Sequence, residues 1–281
     1  MNSISLTSPI LVIAYKELRD SLRNRWILFM GSIFMLLSLS VTFAGSAVTG
    51  ELALPPLANL MSSLSTTSVF IIPLAAILLS YDSFVGEQEA GTLLLLLSYP
   101  ISRSQILIGK LLGHSVVMLI TTSCAFGSTA VLLLVFGSQY SVVEVVSVFG
   151  QFIISSNLLA LIFILLGYIV SLRATEKAKA VAGLLFVWFI LVLIYDLLLL
   201  TVLVSDVVFM DKQVLNILIA LNPTDLYRAI NLVSVDADST GTAFAMIGEI
   251  DWGMSVMYSL MLAWICALVV ISQRIFSRKP L

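Results

Sequence analysis

Long runs of apolar residues alternate with short polar segments along this chain. A helix needs about 20 apolar residues to cross the ~30 Å hydrocarbon layer of a membrane. The runs that are long enough cover residues 26–48, 59–81, 111–136, 144–171, 180–205 and 252–273. A helix satisfies its own backbone hydrogen bonds in lipid, and the runs lack the short alternating segments of a membrane barrel. The pattern predicts an all-α polytopic membrane protein with six transmembrane helices in a single domain, residues 1–281.

The segment before the first run is amphipathic. Ser8 and Pro9 are typical of an N-cap and a first helical position. Polar residues then share one helical face, and apolar residues occupy another: the polar ones are Lys16, Arg19, Asp20 and Arg23. This pattern predicts a helix that lies on the membrane surface with its cations near anionic head groups.

Charge is distributed unevenly between the two ends of the predicted spans. Twelve of the 14 basic residues flank the side that holds both chain termini, and only Lys212 and Arg228 lie on the other side. Nine of the 16 acidic residues lie on that other side. We call the two sides the basic side and the acidic side. Because basic residues are retained in the cytoplasm, the distribution predicts that both termini are cytoplasmic. No cleavable signal is expected, since the first apolar run is too long for one.

Composition supports the membrane assignment. The 281 residues are 60% hydrophobic and 11% charged, with a mean hydropathy of +1.11. A soluble domain has about 25% charged residues, so a soluble globule, a disordered chain and a nucleic-acid binder are excluded. Cys124 and Cys266 lie in apolar runs without paired spacing. We therefore expect both to be small buried side chains rather than a disulfide.

The basic-side segment 82–110 contains the most informative pattern. Glu87 and Glu89 precede an apolar run of leucines, 93–97, which is too short to span a membrane. The run predicts a short surface helix that offers Glu87, Glu89 and Thr92 to a cytoplasmic partner. Ser102 can cap the helix that follows. A second candidate contact is the segment from Arg173 through Lys177 to residue 179, with a solvated turn as the alternative.

The chain lacks a phosphate-binding loop. Its best candidate fails because Leu111 follows Gly109-Lys110 and Ser104 stands where the first glycine belongs. Any ATP must therefore be hydrolysed by another subunit. Catalysis by this chain is not expected either, because its sole histidine, His114, has no surrounding motif and is interpreted as a packing residue.

Polar residues within the spans are candidates for a functional interior. Glu144, Gln151 and Ser155 share one face of the fourth span with Ser147. Asp196 is expected about 24 Å into the fifth span, where a carboxylate needs a cation, a donor or a proton. Hydrogen bonding between helices is the alternative for the first group. A structural clamp is the alternative for Asp196.

Two further candidates lie toward the acidic side. Asn222 can cap a short helix that starts at Pro223, contains Asp225 and runs to about residue 233. We expect this helix and the acidic loop after it to dock a periplasmic partner, or else to seal the bundle. Met254, Met257 and Met261 share a face of the sixth span; thioethers bind Cu(I), but methionine more often fills gaps between helices.

The sequence resembles the ABC exporter permeases with six spans per subunit. The resemblance covers nearly the whole chain, and the coupling region carries it first: Val85-Gly86-Glu87, Gly91 through Leu97, Tyr99-Pro100, Arg103 and Gly109-Lys110. A second set of matches is Asn222-Pro223-Thr224-Asp225 with Tyr227-Arg228, together with Ser155-Ser156 and Asp196. The combination is similar to the permeases that serve maturation of nitrous oxide reductase.

The resemblance implies a homodimer in the bacterial inner membrane, bound to two copies of a cytoplasmic ABC ATPase and to a β-helical periplasmic protein, with a copper chaperone as a further candidate. ATP and Mg²⁺ would bind to the ATPase, and this chain would bind no cofactor. It also implies roles in ATPase coupling (Glu87, Glu89, Gly91, Thr92, Arg103, Arg173, Lys177) and in periplasmic partner contact (Asn222, Asp225, Tyr227, Arg228). The assembly would support building of the copper-sulfide site by exporting sulfur or copper or by transmitting motion. Export of another small substrate and non-conducting mechanotransmission remain alternatives.

Overall fold

The computed structural model describes residues 8–23, 25–49, 54–137, 139–204, 212–233 and 252–279. These residues form helices, and no strand occurs in the described ranges. The helices are α1 Pro9–Arg23, α2 Trp26–Thr49, α3 Leu57–Ser80, α4 Val85–Glu89, α5 Thr92–Ser98, α6 Arg103–Phe136, α7 Val142–Arg173, α8 Lys177–Trp188, α9 Tyr195–Val204, α10 Lys212–Leu221, α11 Pro223–Val233 and α12 Met254–Arg278. A π-helical turn, Phe189–Ile194, joins α8 to α9.

The prediction of an all-α multi-pass membrane protein is confirmed. Within the described residues five helical segments are long and apolar enough to cross a membrane, and the number is six if the pair Pro9–Arg23 and Leu28–Phe43, bent by 69°, is counted as one span. The third predicted span begins earlier than expected because α6 starts at Arg103. Ser102 and Gln105 form a capping box there, which satisfies the first free amides of the helix.

The helix α7 is the centre of the bundle. It packs against α3, α6 and α12, and α2 and α1 pack on the outer side of α6. The core between these helices contains Phe126, Phe152 and Phe163, each almost fully buried. Helices α4 and α5 lie at the basic side, and α11 packs between α3, α7 and α12, with α10 directly before it in the chain.

Two small residues let α1 lie directly on α6. A methyl group at Gly113 would stand 2.7 Å from Cβ of Glu17, and one at Gly109 would stand 2.8 Å from Cβ of Ile13. Small residues spaced by four allow helix backbones to approach closely in membrane proteins. This contact brings the buried face of α1, including Glu17, against α6.

We expect Gly113→Ala to loosen the α1–α6 contact. The added methyl has no room beside Glu17, and overpacking of this kind costs about 1–3 kcal/mol. The thermal unfolding midpoint of the purified protein in detergent should therefore fall. Gly127→Ala is the matched control on the same helix, because a methyl group there meets nothing within 4 Å. An equal fall in both variants would contradict the close contact.

Candidate functional site

A buried cluster of charges joins three helices at the basic side. The Lys110 ammonium on α6 lies 2.9 Å from Oε1 of Glu17 on α1 and 2.8 Å from Oε1 of Glu87 on α4. Lys110 is 1% exposed. Lys16 contacts the same two carboxylates, but its side chain is 53% exposed. Lys110 is therefore the central cation, since an ion pair shielded from water is screened far less than an exposed one.

Aromatic and imidazole groups enclose this cluster. His114 shares a 2.7 Å hydrogen bond with the Tyr168 hydroxyl, and its other ring nitrogen lies 3.6 Å from Glu17. The Lys110 ammonium also lies 5.6 Å from the centre of the Phe84 ring. Burial by itself would raise the pKa of Glu17, but the hydrogen bond from His114 and the charge of Lys110 outweigh it and lower that pKa. The Glu17 carboxylate thus stays ionised and paired.

The cluster changes the interpretation of Glu87. We predicted that this side chain faces a cytoplasmic partner, whereas the carboxylate points to Lys110 and is 16% exposed. The exposed surface is instead the turn from Gln88 to Thr92 between α4 and α5. Gly91 makes that turn with φ of 71°, which favours glycine. The predicted short leucine helix is present as α5.

The two predicted coupling segments are bonded to each other. Oε1 of Glu89 accepts a 2.9 Å hydrogen bond from the backbone amide of Lys177, at the first residue of α8. The Lys177 ammonium lies 2.9 Å from a carboxylate oxygen of Asp82. Arg173 is exposed beside this connection. The two segments therefore form one continuous surface rather than two separate ones.

Arg103 has a structural position that the sequence did not indicate. Its guanidinium donates to the backbone carbonyl oxygens of Phe276, Ser277 and Lys279 at the end of α12. The last carbonyls of a helix lack the regular partners of its interior, and among these three, within the described residues, only Phe276 accepts from a backbone amide, that of Lys279. The Arg103 cation supplies further hydrogen bonds and interacts favourably with the helix dipole. Arg103 thus fastens the start of α6 to the end of α12 beside the coupling segment.

A second buried charge cluster lies toward the acidic side. Nη1 of Arg228 on α11 lies 2.7 Å from Asp196 and 3.2 Å from Asp225. Asp225 and Arg228 are at most 1% exposed. Of the cation, donor or proton that we expected for Asp196, the structure supplies a cation, Arg228, which lies 32 residues further along the chain.

The π-helical turn explains how Asn222 is fixed. In a π-helix the hydrogen bond spans five residues, so carbonyl groups are displaced from their usual helical partners. The Asn222 side-chain amide donates 2.9 Å to the carbonyl oxygen of Leu191 within this turn. Its side-chain oxygen accepts from the backbone amide of Thr224, which confirms the predicted cap of α11. Asn222 thereby joins the start of α11 to the fifth span.

The polar face predicted for the fourth span is divided in the structure. Gln151 donates 3.1 Å to the carbonyl oxygen of Ile230, and Ser155 donates 3.0 Å to the side chain of Asn231. Glu144 instead lies exposed at the acidic-side end of α7. The inner part of this face therefore holds α11 in the bundle.

The predicted partner-contact residues are internal in this structure. Asn222, Asp225, Tyr227 and Arg228 are each at most 1% exposed, within helix α11 or its cap. Their placement argues against direct contact with a partner and favours the alternative that this helix seals the bundle. The acidic loop after α11 lies outside the described residues.

Other predicted side chains have simple positions. Met257 and Met261 are fully buried in the core, and Met254 packs at its edge. Cys124 and Cys266 are free and exposed on the outer faces of their helices, so our expectation that they are buried was wrong. An apolar surface that meets lipid accepts a thiol as readily as a protein core does.

Sequence reasoning missed the importance of Glu17 and Lys110. Lys110 entered only as part of a motif, and Glu17 lies beside Lys16 on a helix that we treated as a surface element. Neighbouring residues could have indicated both positions. Gly109 and Gly113 mark a close helix contact beside Lys110, and Glu17 follows Ile13 by one turn on the buried face of α1. A carboxylate on that face requires a buried cation.

Comparisons with known proteins identify the family of this chain. The model of the family described as ABC-2 family transporter protein matches residues 11–281. The protein named "Probable ABC transporter permease protein NosY" of Pseudomonas aeruginosa is 39% identical over 269 residues, covering 96% of this chain and 98% of its own. The protein of the same name from Stutzerimonas stutzeri is 38% identical over 270 residues, covering 95% and 97%.

Proposed function

This chain belongs to the ABC-2 family of transporter proteins and is the permease subunit of an ABC transporter. From that premise we propose that it serves assembly of the copper-sulfide site of nitrous oxide reductase. Support for this finer function comes from the two relatives named NosY and from the outer motif around Asn222. The proposed location is the bacterial inner membrane with the basic side in the cytoplasm, as the charge distribution favours.

The observation that carries the proposal is the Lys110 cluster. Through Glu87 it connects α4, which lies next to the exposed turn, to α1 and α6. Because these contacts are buried, a force on the turn displaces α1, α4 and α6 together rather than α4 alone. We infer that two copies of a NosF-like ATPase press on this turn in a homodimer, bind ATP and Mg²⁺, and drive the permease.

The buried charge cluster around Arg228, toward the acidic side, is where the proposed motion leaves the bundle. Arg228 and Asn222 fix α11 to the fifth span at two points. A shift of that span therefore moves α11 and the adjoining α10, and we infer that this motion reaches a NosD-like β-helical protein on the periplasmic face. A copper chaperone is a further partner in the same proposal.

Two outcomes of this motion are distinguishable. Either a sulfur or copper species crosses the membrane, or motion alone is transmitted. The buried Arg228 cluster favours transmission of motion alone, because Arg228 pairs with the carboxylates of Asp196 and Asp225 within this chain. ATP-driven flux of a sulfur or copper species in sealed vesicles would establish transport and exclude pure mechanotransmission. An exporter of another small substrate would copurify with an ATPase but without a β-helical protein.

We expect Thr92→Arg to weaken ATPase binding. Thr92 is exposed on the α4–α5 turn, where its hydroxyl contacts only the carbonyl oxygen of Glu87 among the hydrogen bonds of the described residues. A long cation there would obstruct docking without disturbing the core, and the loss should exceed tenfold, about 1.4 kcal/mol. The measurement is the amount of ATPase retained on the tagged permease.

Ser98→Arg is the matched control at the opposite end of α5. Ser98 is also exposed, and its hydroxyl also bonds one local carbonyl oxygen, that of Leu95. Its ATPase retention should stay near that of the unmodified protein. If Thr92→Arg retains the ATPase fully, the turn is not the docking surface.

A further inference from the structure

The basic-side ends of α7 and α12 form a second charged region, separate from the Lys110 cluster. Arg173 ends α7, Arg274 and Arg278 lie in the last turns of α12, and Lys279 follows. The three arginines are exposed, and within the described ranges their guanidinium groups make no hydrogen bond or ion pair. Among the described residues, no carboxylate pairs with these three arginines, and positive charge is thus concentrated here.

These cations surround a cavity of about 380 Å³. Its lining is Leu172, Arg173, Arg274, Ile275, Arg278 and Lys279. Leu172 is 3% exposed and Ile275 is half-buried, so the cavity has an apolar floor below a cationic rim. The Lys279 ammonium donates to the carbonyl oxygen of Leu172 and holds the end of α12 against α7. The retention of basic residues on one side explains the charges, but not why they share a cavity with an apolar floor.

Nearby carboxylates are already paired with other cations. Asp82 pairs with Lys177, Glu176 pairs with Lys179, and no acidic side chain lines the cavity. The ligand that fits must therefore bring its own negative charge. It must also bring apolar surface to meet the floor.

The outer face of α12 leads directly to this cavity. Val270 and Ile271 are 45% and 43% exposed one turn before Arg274. Side chains with this pattern place apolar groups in the acyl region of a membrane and cations at the head-group level. The polar surface of a soluble partner protein would not complement the exposed apolar residues of α12 that lie below the cationic rim.

We propose that this cavity binds the head group of an anionic phospholipid from the leaflet on the basic side. The phosphate lies among Arg274, Arg278 and Arg173, and the upper acyl chain lies over Ile275 and the exposed face of α12. This site shares Arg173 with the predicted coupling surface, but Arg274 and Arg278 lie outside that surface, and the site does not depend on the transported species. It would hold the ends of α7 and α12 together within the bilayer.

The test is phosphatidylglycerol binding to the detergent-purified full chain, measured by native mass spectrometry and by titration. We expect tighter binding of phosphatidylglycerol than of phosphatidylcholine. Each basic residue near a membrane surface contributes about fivefold in affinity. Arg274→Gln with Arg278→Gln should therefore weaken phosphatidylglycerol binding about 25-fold, and Arg274→Lys with Arg278→Lys should restore most of it.

Arg19→Gln with Arg23→Gln is the control for general surface charge: these arginines are also four residues apart and exposed on a basic-side helix, but Arg23 lies 3.7 Å from Asp20 and neither lines the proposed cavity. Its phosphatidylglycerol affinity should change less than threefold. Equal losses in both doubles would show that surface charge alone attracts the lipid, which overturns the site. Displacement of the lipid by millimolar glycerol 3-phosphate would show a soluble-phosphate site instead. Unchanged lipid binding with lost ATPase retention in the Arg274/Arg278 double would show a protein contact.

Discussion

Lys110→Met is expected to destabilise the protein by about 3–5 kcal/mol, because it removes the central cation and leaves two carboxylates buried without it. Methionine preserves the volume of the side chain, so the cost arises from charge and not from a cavity. The thermal unfolding midpoint in detergent should fall sharply. The stimulation of ATP hydrolysis in the assembled transporter by its permease should be lost as well, since α4 is released from α1 and α6.

Lys16→Met separates this effect from a general loss of positive charge. Lys16 contacts the same carboxylates, Glu17 and Glu87, but more than half of its side chain is exposed. Exposed ion pairs contribute about 0–1 kcal/mol, so the control should remain close to the unmodified protein. Replacing Glu17 and Glu87 by glutamine together with Lys110→Met should recover much of the loss. Equal behaviour of Lys110→Met and Lys16→Met would contradict the central position of Lys110.

Arg228→Gln is expected to have a comparable effect at the other end of the molecule. It leaves Asp196 and Asp225 near each other without their cation, and breaking a buried pair in this way costs about 3–5 kcal/mol. We expect a lower unfolding midpoint and little active nitrous oxide reductase recovered from cells that carry the variant. ATPase retention should persist in the fraction that folds, because the turn at the basic side is unchanged.

A mutant cycle with Asp196→Asn identifies the pair responsible. Asp196→Asn leaves the Arg228–Asp225 contact in place, so we expect it to preserve assembly while impairing maturation of nitrous oxide reductase. The double variant should be more stable than the sum of the two single effects by about 0.5–3 kcal/mol, since the two groups contact each other. Additive effects would mean that Asp196 and Arg228 do not act as a pair.

The sequence indicated much of the coupling region, but it gave the wrong direction for the side chain of Glu87. Glu87, Gly91 and Thr92 were identified from their motif, and the short helix and its following cap were predicted correctly. The direction of Glu87 could not be predicted, because α4 has five residues and no periodicity long enough to define a buried face. Its direction depends on Lys110, and that contact forms only after α4 and α6 have packed.

The same distinction applies to Asp196. Burial cost alone required a partner for a carboxylate within a span. The partner's identity depends on how α11 packs into the bundle, and no local pattern around Arg228 specifies that position. Residues that we expected to meet another protein are consequently internal.

Hydrophobic length determined the helical class and the multi-pass membrane character, and local capping residues determined the helix starts at Ser102 and Asn222. Each of these features depends on residues close in the chain or on the thickness of the membrane. Tertiary structure alone decided which charged side chains face each other across separate helices. Lys110 with Glu17 and Glu87, and Arg228 with Asp196, are held by packing between separate helices and lie 23 to 93 residues apart in the chain, whereas Asp225 pairs with Arg228 three residues away on the same helix. Pairs between separate helices form because burying an unpaired charge is costly, and sequence patterns within one segment do not specify which helices pack together.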